Sequence, residues 1–332
     1  MFEQRITVLG AGSWGTALAI LLAKNGHDVL LWGRNKDKIA RMHQQAENSF
    51  FLPGVAFPKK LRVTSDFQSA VLQSDELLLV VPSHAFYATL LQIQQIKPEQ
   101  KNISWATKGL ELDSHRLLHQ VVDQVFPQLY NKAVISGPTF AAEVAIGLPT
   151  ALTIAANHLA YAKYLASLLC NATLRPYLSQ DIVGLEIGGA AKNVMAIAAG
   201  IADGLGYGAN TRSALITRGL NEISRLSDKL GGEQQTMMGL SGLGDLLLTC
   251  TDDQSRNRRM GLAIGRGQSI KQAETEIQQV VEGVQAAKQI YSLAQELNIE
   301  MPIVEQVYQV LYQGVAPQKA VQNLLTREYK TE

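Results

Sequence analysis

The residues Gly10-Ala11-Gly12-Ser13-Trp14-Gly15 constrain the fold of this chain more than any other stretch. The apolar run Ile6-Thr7-Val8-Leu9 precedes them, and Thr16 to Gly26 follows with the look of a helix ending in a glycine stop. Strand, glycine turn and helix together are the setting in which G-x-G-x-x-G means a dinucleotide pyrophosphate site. In that reading Gly10 makes the tight turn, Gly12 lets the phosphates approach the backbone, and Gly15 lets the helix pack on the strand. The orphan amides of the helix start hold the anion. The next strand runs from Asp28 to Trp32 and ends in Gly33-Arg34-Asn35, without the Asp or Glu that usually holds the ribose hydroxyls of NAD. A guanidinium at that place pairs with a 2′-phosphate. Arg34 therefore predicts a preference for NADPH over NADH.

The chain has 332 residues, which suggests about two domains. Up to about residue 180, short apolar runs alternate with segments of helical spacing. Strands are expected at Arg5–Leu9, Val29–Trp32, Leu61–Thr64, Glu76–Val81, Ile103–Thr107, Ala133–Ser136, Ala151–Ala155 and Leu174–Ser179. Helices such as Ala85–Ile96 and His115–Val125 lie between them. This alternation predicts an α/β fold, a Rossmann-like doubly wound sheet over residues 1–180. Pro53 and Pro58, with Phe50, Phe51 and Phe57, mark a loop that would border the nucleotide. Beyond residue 180 only helical spacing remains, from Ile182–Gly206 to Pro302–Tyr312, which predicts an all-helical domain over residues 181–332. A net charge of +1 gives no bulk attraction to nucleic acid or membranes. The two cysteines, Cys170 and Cys250, imply no disulfide framework and read as reduced thiols. With no signal-peptide pattern and no uninterrupted apolar run of spanning length, a cytoplasmic location is expected.

Ligands of open α/β sheets bind beyond the carboxyl ends of the strands. Three further turns belong there: Val80–His84, Ala106–Gly109 and Ser136–Glu143. Lys108 is placed to bind a substrate oxygen or anion. Thr139 reads as a helix cap with Glu143 in the first turn, and Gly137 and Ala141 offer backbone contacts to a ligand. In the helical half, Lys192 follows Gly188-Gly189-Ala190-Ala191. A helical side chain leans back over residues three and four positions before it, so its amine would hang over two glycines. Those glycines leave room for a ligand or allow another helix to pack closely. A lysine desolvated beside a second cation, such as Lys108, acquires a pKa nearer neutrality. Lys192 would then protonate a carbonyl oxygen as hydride arrives at carbon. Asp245 would accept from a substrate hydroxyl. Ser255-Arg256-Asn257 supply the hydroxyl, guanidinium and amide of a phosphate site beside a helix start; a capped helix with a basic face is the alternative. Val280 and Glu282 stand before another helix, with Glu282 able to reach a ribose or nicotinamide amide. His115 and His119 have i, i+4 spacing, but Arg116 replaces the glutamate of H-E-x-x-H, and no metal is expected.

Nearly end to end, the chain resembles the bacterial NAD(P)-dependent glycerol-3-phosphate dehydrogenase family. The resemblance rests on Gly10–Gly15, Ala106–Gly109, Ser136–Glu143, Gly188–Asn193, Ala202–Thr211, Gly239–Asp245, Thr249–Arg259 and Val281–Val284. It implies reversible reduction of dihydroxyacetone phosphate to sn-glycerol 3-phosphate for phospholipid synthesis, with NADPH or NADH, in a homodimer. It implies that Lys192 is the proton acceptor, and that Lys108, Gly137, Thr139, Asp245, Ser255, Arg256 and Asn257 contact substrate. Cofactor contacts are implied for Ser13, Trp14, Arg34, Lys108, Ala141, Arg256, Val280 and Glu282. Ala191 stands where a leucine is common, and Phe51 where some relatives carry a basic residue, which leaves Arg34 to support NADPH. Two other readings compete: a 3-hydroxy-acid dehydrogenase of similar build, which needs no separate phosphate site, and a cofactor-binding regulator without catalysis.

Overall fold

The computed structural model describes residues 3–326. The chain divides into two compact units. One holds the described residues up to Glu111 together with Arg116–Leu185, and the other holds Leu112–His115 and the described residues from Glu186 onward.

The first unit is built on eight strands: β1 (Arg5–Leu9), β2 (Asp28–Trp32), β3 (Leu61–Thr64), β4 (Glu76–Leu79), β5 (Asn102–Trp105), β6 (Asn131–Ser136), β7 (Thr150–Ala156) and β8 (Leu174–Ser179). Their order is β3-β2-β1-β4-β5-β6-β7-β8. β1 to β6 run parallel, in register from Ile6 opposite Val29 on one side and opposite Glu76 on the other. β7 reverses against β6, and β8 follows β7 in parallel. The sheet is therefore the expected doubly wound one, mixed at one edge by the reversal of β7. The helices are α1 (Ser13–Lys24), α2 (Lys36–Gln45), α3 (Phe67–Leu72), α4 (Ser83–Ile96), α5 (Leu118–Val125), α6 (Ala141–Ile146) and α7 (Leu159–Leu169). Apolar strands such as β1 and β4 are buried because helices cover both sheet faces. One core cluster gathers Val8, Leu18, Val29 and Ile135, and the other gathers Leu77, Phe86, Trp105 and Val122.

Two local expectations differ. α5 begins at Leu118 and not at His115, which has a φ of +56°. The preceding loop is closed by a bond from Glu111 N–H to Arg116 O of 2.9 Å. Thr139 does not cap α6: Phe140 occupies that position in extended backbone.

The second unit is helical among the described residues. It comprises the rest of α8 (Ile182–Gly204), then α9 (Ala209–Lys229), α10 (Gln234–Met237), a π-helical turn (Leu240–Gly244), α11 (Asp245–Thr251), α12 (Arg256–Gly265), α13 (Ile270–Ile277), α14 (Glu282–Glu296), α15 (Pro302–Tyr312) and α16 (Pro317–Leu325). α8 is long and apolar enough to cross a membrane, but 89% of its most apolar window is buried inside the protein. It is the central helix of this unit. It crosses α12 on glycines from both helices: a Cβ on Gly200 would lie 2.2 Å from Arg258 O, and one on Gly261 would lie 2.1 Å from Ile197 O.

Candidate active site

In the sheet unit the candidate site is made largely of backbone. Gly10 has a φ of +131°, and a Cβ there would sit 2.5 Å from Val80 O. A Cβ on Gly15 would sit 1.9 Å from Gly10 O. Both positions exclude a side chain for internal reasons, one conformational and one steric. Gly12 differs, because nothing lies within 4 Å of where its Cβ would be. That open face leaves the Gly12 main chain accessible. Gly12 also caps α1 without a side chain, and the first backbone bond of the helix runs from Thr16 N–H to Gly12 O at 2.9 Å. The preceding amides are thereby left for an anion. These features suit a dinucleotide pyrophosphate, and the turn lies where the strand order reverses between β1 and β4.

The loop after α2 is tied to this turn. Ser13 Oγ donates to Phe51 O at 2.9 Å, and Asn48 Nδ2 donates to Ala11 O at 3.1 Å and to Thr16 Oγ1 at 2.8 Å. Trp14 Nε1 is buried without a protein hydrogen-bond partner. Arg34 is exposed beyond the carboxyl end of β2, just before Asn35, which caps α2 by accepting from Lys38 N–H at 2.9 Å.

Because β1 to β6 are parallel, the turns carrying Lys108 and Gly137 follow strands at the same sheet edge as Gly10. Lys108 is half-buried after Thr107, whose hydroxyl donates to Val81 O at 2.8 Å. Thr139 Oγ1 donates to Gly137 O at 3.3 Å, so it stiffens its own turn, while Ala141 opens α6 and Glu143 lies in its first turn.

In the helical unit the candidate site is made of side chains. Lys192 is 6% exposed. Its Nζ donates to Asp245 Oδ1, and to Thr249 Oγ1 at 3.0 Å. Thr249 Oγ1 in turn donates to the Asp245 carbonyl at 2.6 Å. Asp245 and Thr249 stand one turn apart on α11, so one helix face supplies both partners of the amine. A buried ion pair persists only with such additional hydrogen bonds. Neighbouring Asn193 accepts from Asn257 Nδ2 at 2.9 Å, and Asn257 Oδ1 accepts from Gly283 N–H at 2.8 Å. Asn193 Nδ2 also lies 3.5 Å from Glu282 Oε2. This chain of amides joins α8, α12 and the start of α14. Cys250, beside Thr249, is a free thiol pushed up to about 12 by burial.

The open patch expected before Lys192 is not there at Gly188. A Cβ on Gly188 would meet Ser241 O at 2.5 Å, so this glycine serves close packing of the π-helical turn. Ser255 Oγ accepts from Arg258 N–H at 3.2 Å and so caps α12. Arg256 Nη1 donates to Gln279 Oε1 at 3.3 Å. Val280 is exposed, and Glu282 begins α14.

Three residues carry more of this geometry than their sequence suggested. Thr249 holds the lysine amine; its signal was the i, i+4 spacing from Asp245. Asp203, at the end of α8, pairs with Arg258 at 2.9 Å and Arg212 at 2.8 Å. Arg258 is buried, and its ion pair fixes the start of α12 against α8; nothing local marked that pairing.

Residues 5–162 match the family model of the NAD-dependent glycerol-3-phosphate dehydrogenase N-terminus, and residues 181–322 match that of the C-terminus. A Colwellia psychrerythraea protein named glycerol-3-phosphate dehydrogenase (NAD(P)+) is 53% identical over 329 residues, covering 99% of this chain and 98% of its own. A Bartonella tribocorum protein of the same name is 51% identical and covers 98% of each chain. The crystal structure of glycerol-3-phosphate dehydrogenase from Coxiella burnetii superposes with a TM-score of 0.96 at 45% identity, covering 98% of this chain and 100% of that one. A D-mandelate dehydrogenase at 15% identity and a TM-score of 0.63 shares the fold alone. The chain belongs to the NAD-dependent glycerol-3-phosphate dehydrogenase family.

Proposed function

We propose that Lys192 is the general acid and base of the family's reaction in this chain. The activity is NAD(P)H-dependent, reversible reduction of dihydroxyacetone phosphate to sn-glycerol 3-phosphate, which supplies glycerophospholipid synthesis. A nicotinamide cofactor, when bound by the residues assigned below, would supply the hydride for the carbonyl carbon. Lys192 Nζ delivers the proton to the carbonyl oxygen, and takes it back in oxidation. The observation that supports this is the buried Lys192 amine, aimed by Asp245 and Thr249. Asp245 balances the ammonium charge, and Thr249 fixes its direction, so the proton is presented from one position.

The assignment of roles extends this reading. We assign dinucleotide contacts to Gly10, Gly12, Ser13, Trp14, Gly15, Arg34, Lys108 and Ala141 in residues 1–180, and to Arg256, Val280 and Glu282 in residues 181–332. Substrate contacts fall to Lys108, Gly137, Thr139, Lys192, Asp245, Ser255, Arg256 and Asn257. Arg256 and the α12 start suit a phosphate, since a guanidinium and helix amides both favour an oxyanion. Arg34, exposed at the end of β2, favours NADPH. The working form is a cytoplasmic homodimer. The test is Lys192→Ala, assayed by NADPH oxidation with dihydroxyacetone phosphate and with unphosphorylated dihydroxyacetone as control. Retained NADPH binding with turnover lost supports the role; unchanged turnover removes Lys192 from the mechanism.

A further inference from the structure

We propose that Lys38 is a second specificity-determining cation for the cofactor's 2′-phosphate, held in place by the rings of Phe50 and Phe51. The proposal deepens, and rests on, the NADPH preference assigned above to Arg34. Lys38 Nζ lies 3.9 Å from the centroid of the Phe50 ring and 4.9 Å from that of Phe51. The two rings meet edge to face, 4.7 Å apart at 88°. An ammonium seated on ring faces is held by their quadrupoles, and it keeps N–H donors for an acceptor on its other side.

The placement of this seat gives it a ligand. Lys38 is the third residue of α2, and its backbone N–H is bound by the Asn35 cap. A helical side chain leans toward the helix N-terminus, so the amine is carried back toward Arg34. The helix start itself favours negative charge. The rings belong to the loop that Ser13 and Asn48 bind to the glycine turn, so the seat is fixed to the backbone that takes the pyrophosphate. Phe50 is 53% exposed, where burial gives no reason for an aromatic ring. Its work is to hold the lysine. Arg34 and Lys38 together match a phosphomonoester dianion, whereas an unphosphorylated ribose offers them only neutral hydroxyl oxygens in place of charge-assisted bonds.

The experiment compares kcat/KM for NADPH and NADH, with dihydroxyacetone phosphate, in wild type, Lys38→Met, Phe50→Leu and Arg34→Ala. Lys38→Met is expected to lower kcat/KM for NADPH about fivefold, through KM, the scale of one exposed ion pair. Its NADH value and kcat stay within about twofold of wild type. Phe50→Leu, which keeps the lysine but removes its seat, is expected to show part of the same KM effect. Titration with 2′,5′-ADP and with AMP gives a readout without turnover: Lys38→Met weakens the first and leaves the second. If Arg34→Ala abolishes the preference while Lys38→Met preserves it, Lys38 has no such role and the Arg34 reading stands. If neither variant changes the preference, both readings fall. An equal loss with NADPH and NADH in Lys38→Met also overturns the proposal, since it makes the lysine a prop of α2.

Discussion

The sheet unit and the helical unit build their candidate sites from opposite materials. At Gly10–Gly15 the useful groups are main-chain amides, and side chains matter by being absent. At Lys192 the useful groups are side chains from residues 192, 193, 245, 249, 257 and 282, brought together by helix packing. The first kind of site is local in sequence and tolerates almost any surroundings that keep strand, turn and helix in order. The second is non-local and depends on close helix crossings such as Gly200 against Arg258 O. A substitution at the first should act on cofactor binding or on the fold. One at the second should act on chemistry.

The largest effect expected from this contrast is in the helical unit. Lys192→Ala should lower kcat about 1,000-fold, within the range of a lost general acid. NADPH binding, followed by fluorescence titration, should hold. A comparable loss of NADPH affinity would break the contrast, by making the lysine part of the cofactor site.

Within the glycine turn the contrast sharpens to two methyl groups. Gly15→Ala puts a carbon 1.9 Å from Gly10 O and should cost about 1–3 kcal/mol of stability by overpacking, seen as a lowered Tm. Gly12→Ala meets nothing in the protein, so its Tm should stay near wild type while the Kd for NADPH rises. Equal losses of Tm in the two variants, or unaltered NADPH binding in Gly12→Ala, would show that Gly12 is structural too.

What was legible in the sequence follows the same division. β1, β3 and β8 stand at their expected residues, because alternation of short apolar runs with helices is a local signal. The reversal of β7 was not legible: direction depends on how α6 returns the chain, and residues 137–149 carry no mark of it. Thr139 looked like a cap because its side chain suits one, but capping requires the one position that Phe140 holds. Helix α16 was missed although Pro317 at its start was a usable signal. Lys192 stood out as a charge among small residues. Its partner Asp245 lies 53 positions away, and only packing could join them. The patch before the lysine misled for the same reason: a pair of glycines looks identical whether a ligand or a carbonyl, here Ser241 O, fills the space.

A smaller effect is expected at the end of β2. Arg34→Ala should lower kcat/KM for NADPH about fivefold, the scale of one exposed ion pair. The NADH value should hold. Raising salt from low to physiological strength should shrink the NADPH advantage of wild type, because exposed charges are screened. A preference that ignores salt would place 2′-phosphate recognition in buried groups.

A last comparison, read in stability and not in turnover, separates two carboxylates that share a number. Burial pushes Glu76 in the sheet unit and Glu222 in the helical unit up to about 7. Each is protonated in the folded chain and ionised in the unfolded chain between about pH 4.5 and 7. The folded state binds more protons there, so each group makes stability fall as pH rises across that window, and the loss is complete above it. Their partners differ. Glu76 accepts from Tyr161 and Ser104 through one oxygen, and its Oε2 has no protein partner. Both oxygens of Glu222 accept from the first amides of α15, at 2.9 and 3.1 Å from Ile303 and 3.4 Å from Val304. Glu76→Gln removes a buried charge and keeps an acceptor for Tyr161, so at pH 8 it should raise stability by about 1–3 kcal/mol and flatten the pH dependence. Glu222→Gln turns an NH2 group toward N–H donors and should lower stability at pH 8 by about 1–2 kcal/mol. Thermal unfolding between pH 5 and 8 reads both. If Glu76→Gln destabilises at pH 8 as Glu222→Gln does, the sheet unit needs its carboxylate ionised, and the two buried acids are alike in what they do as well as in where they titrate.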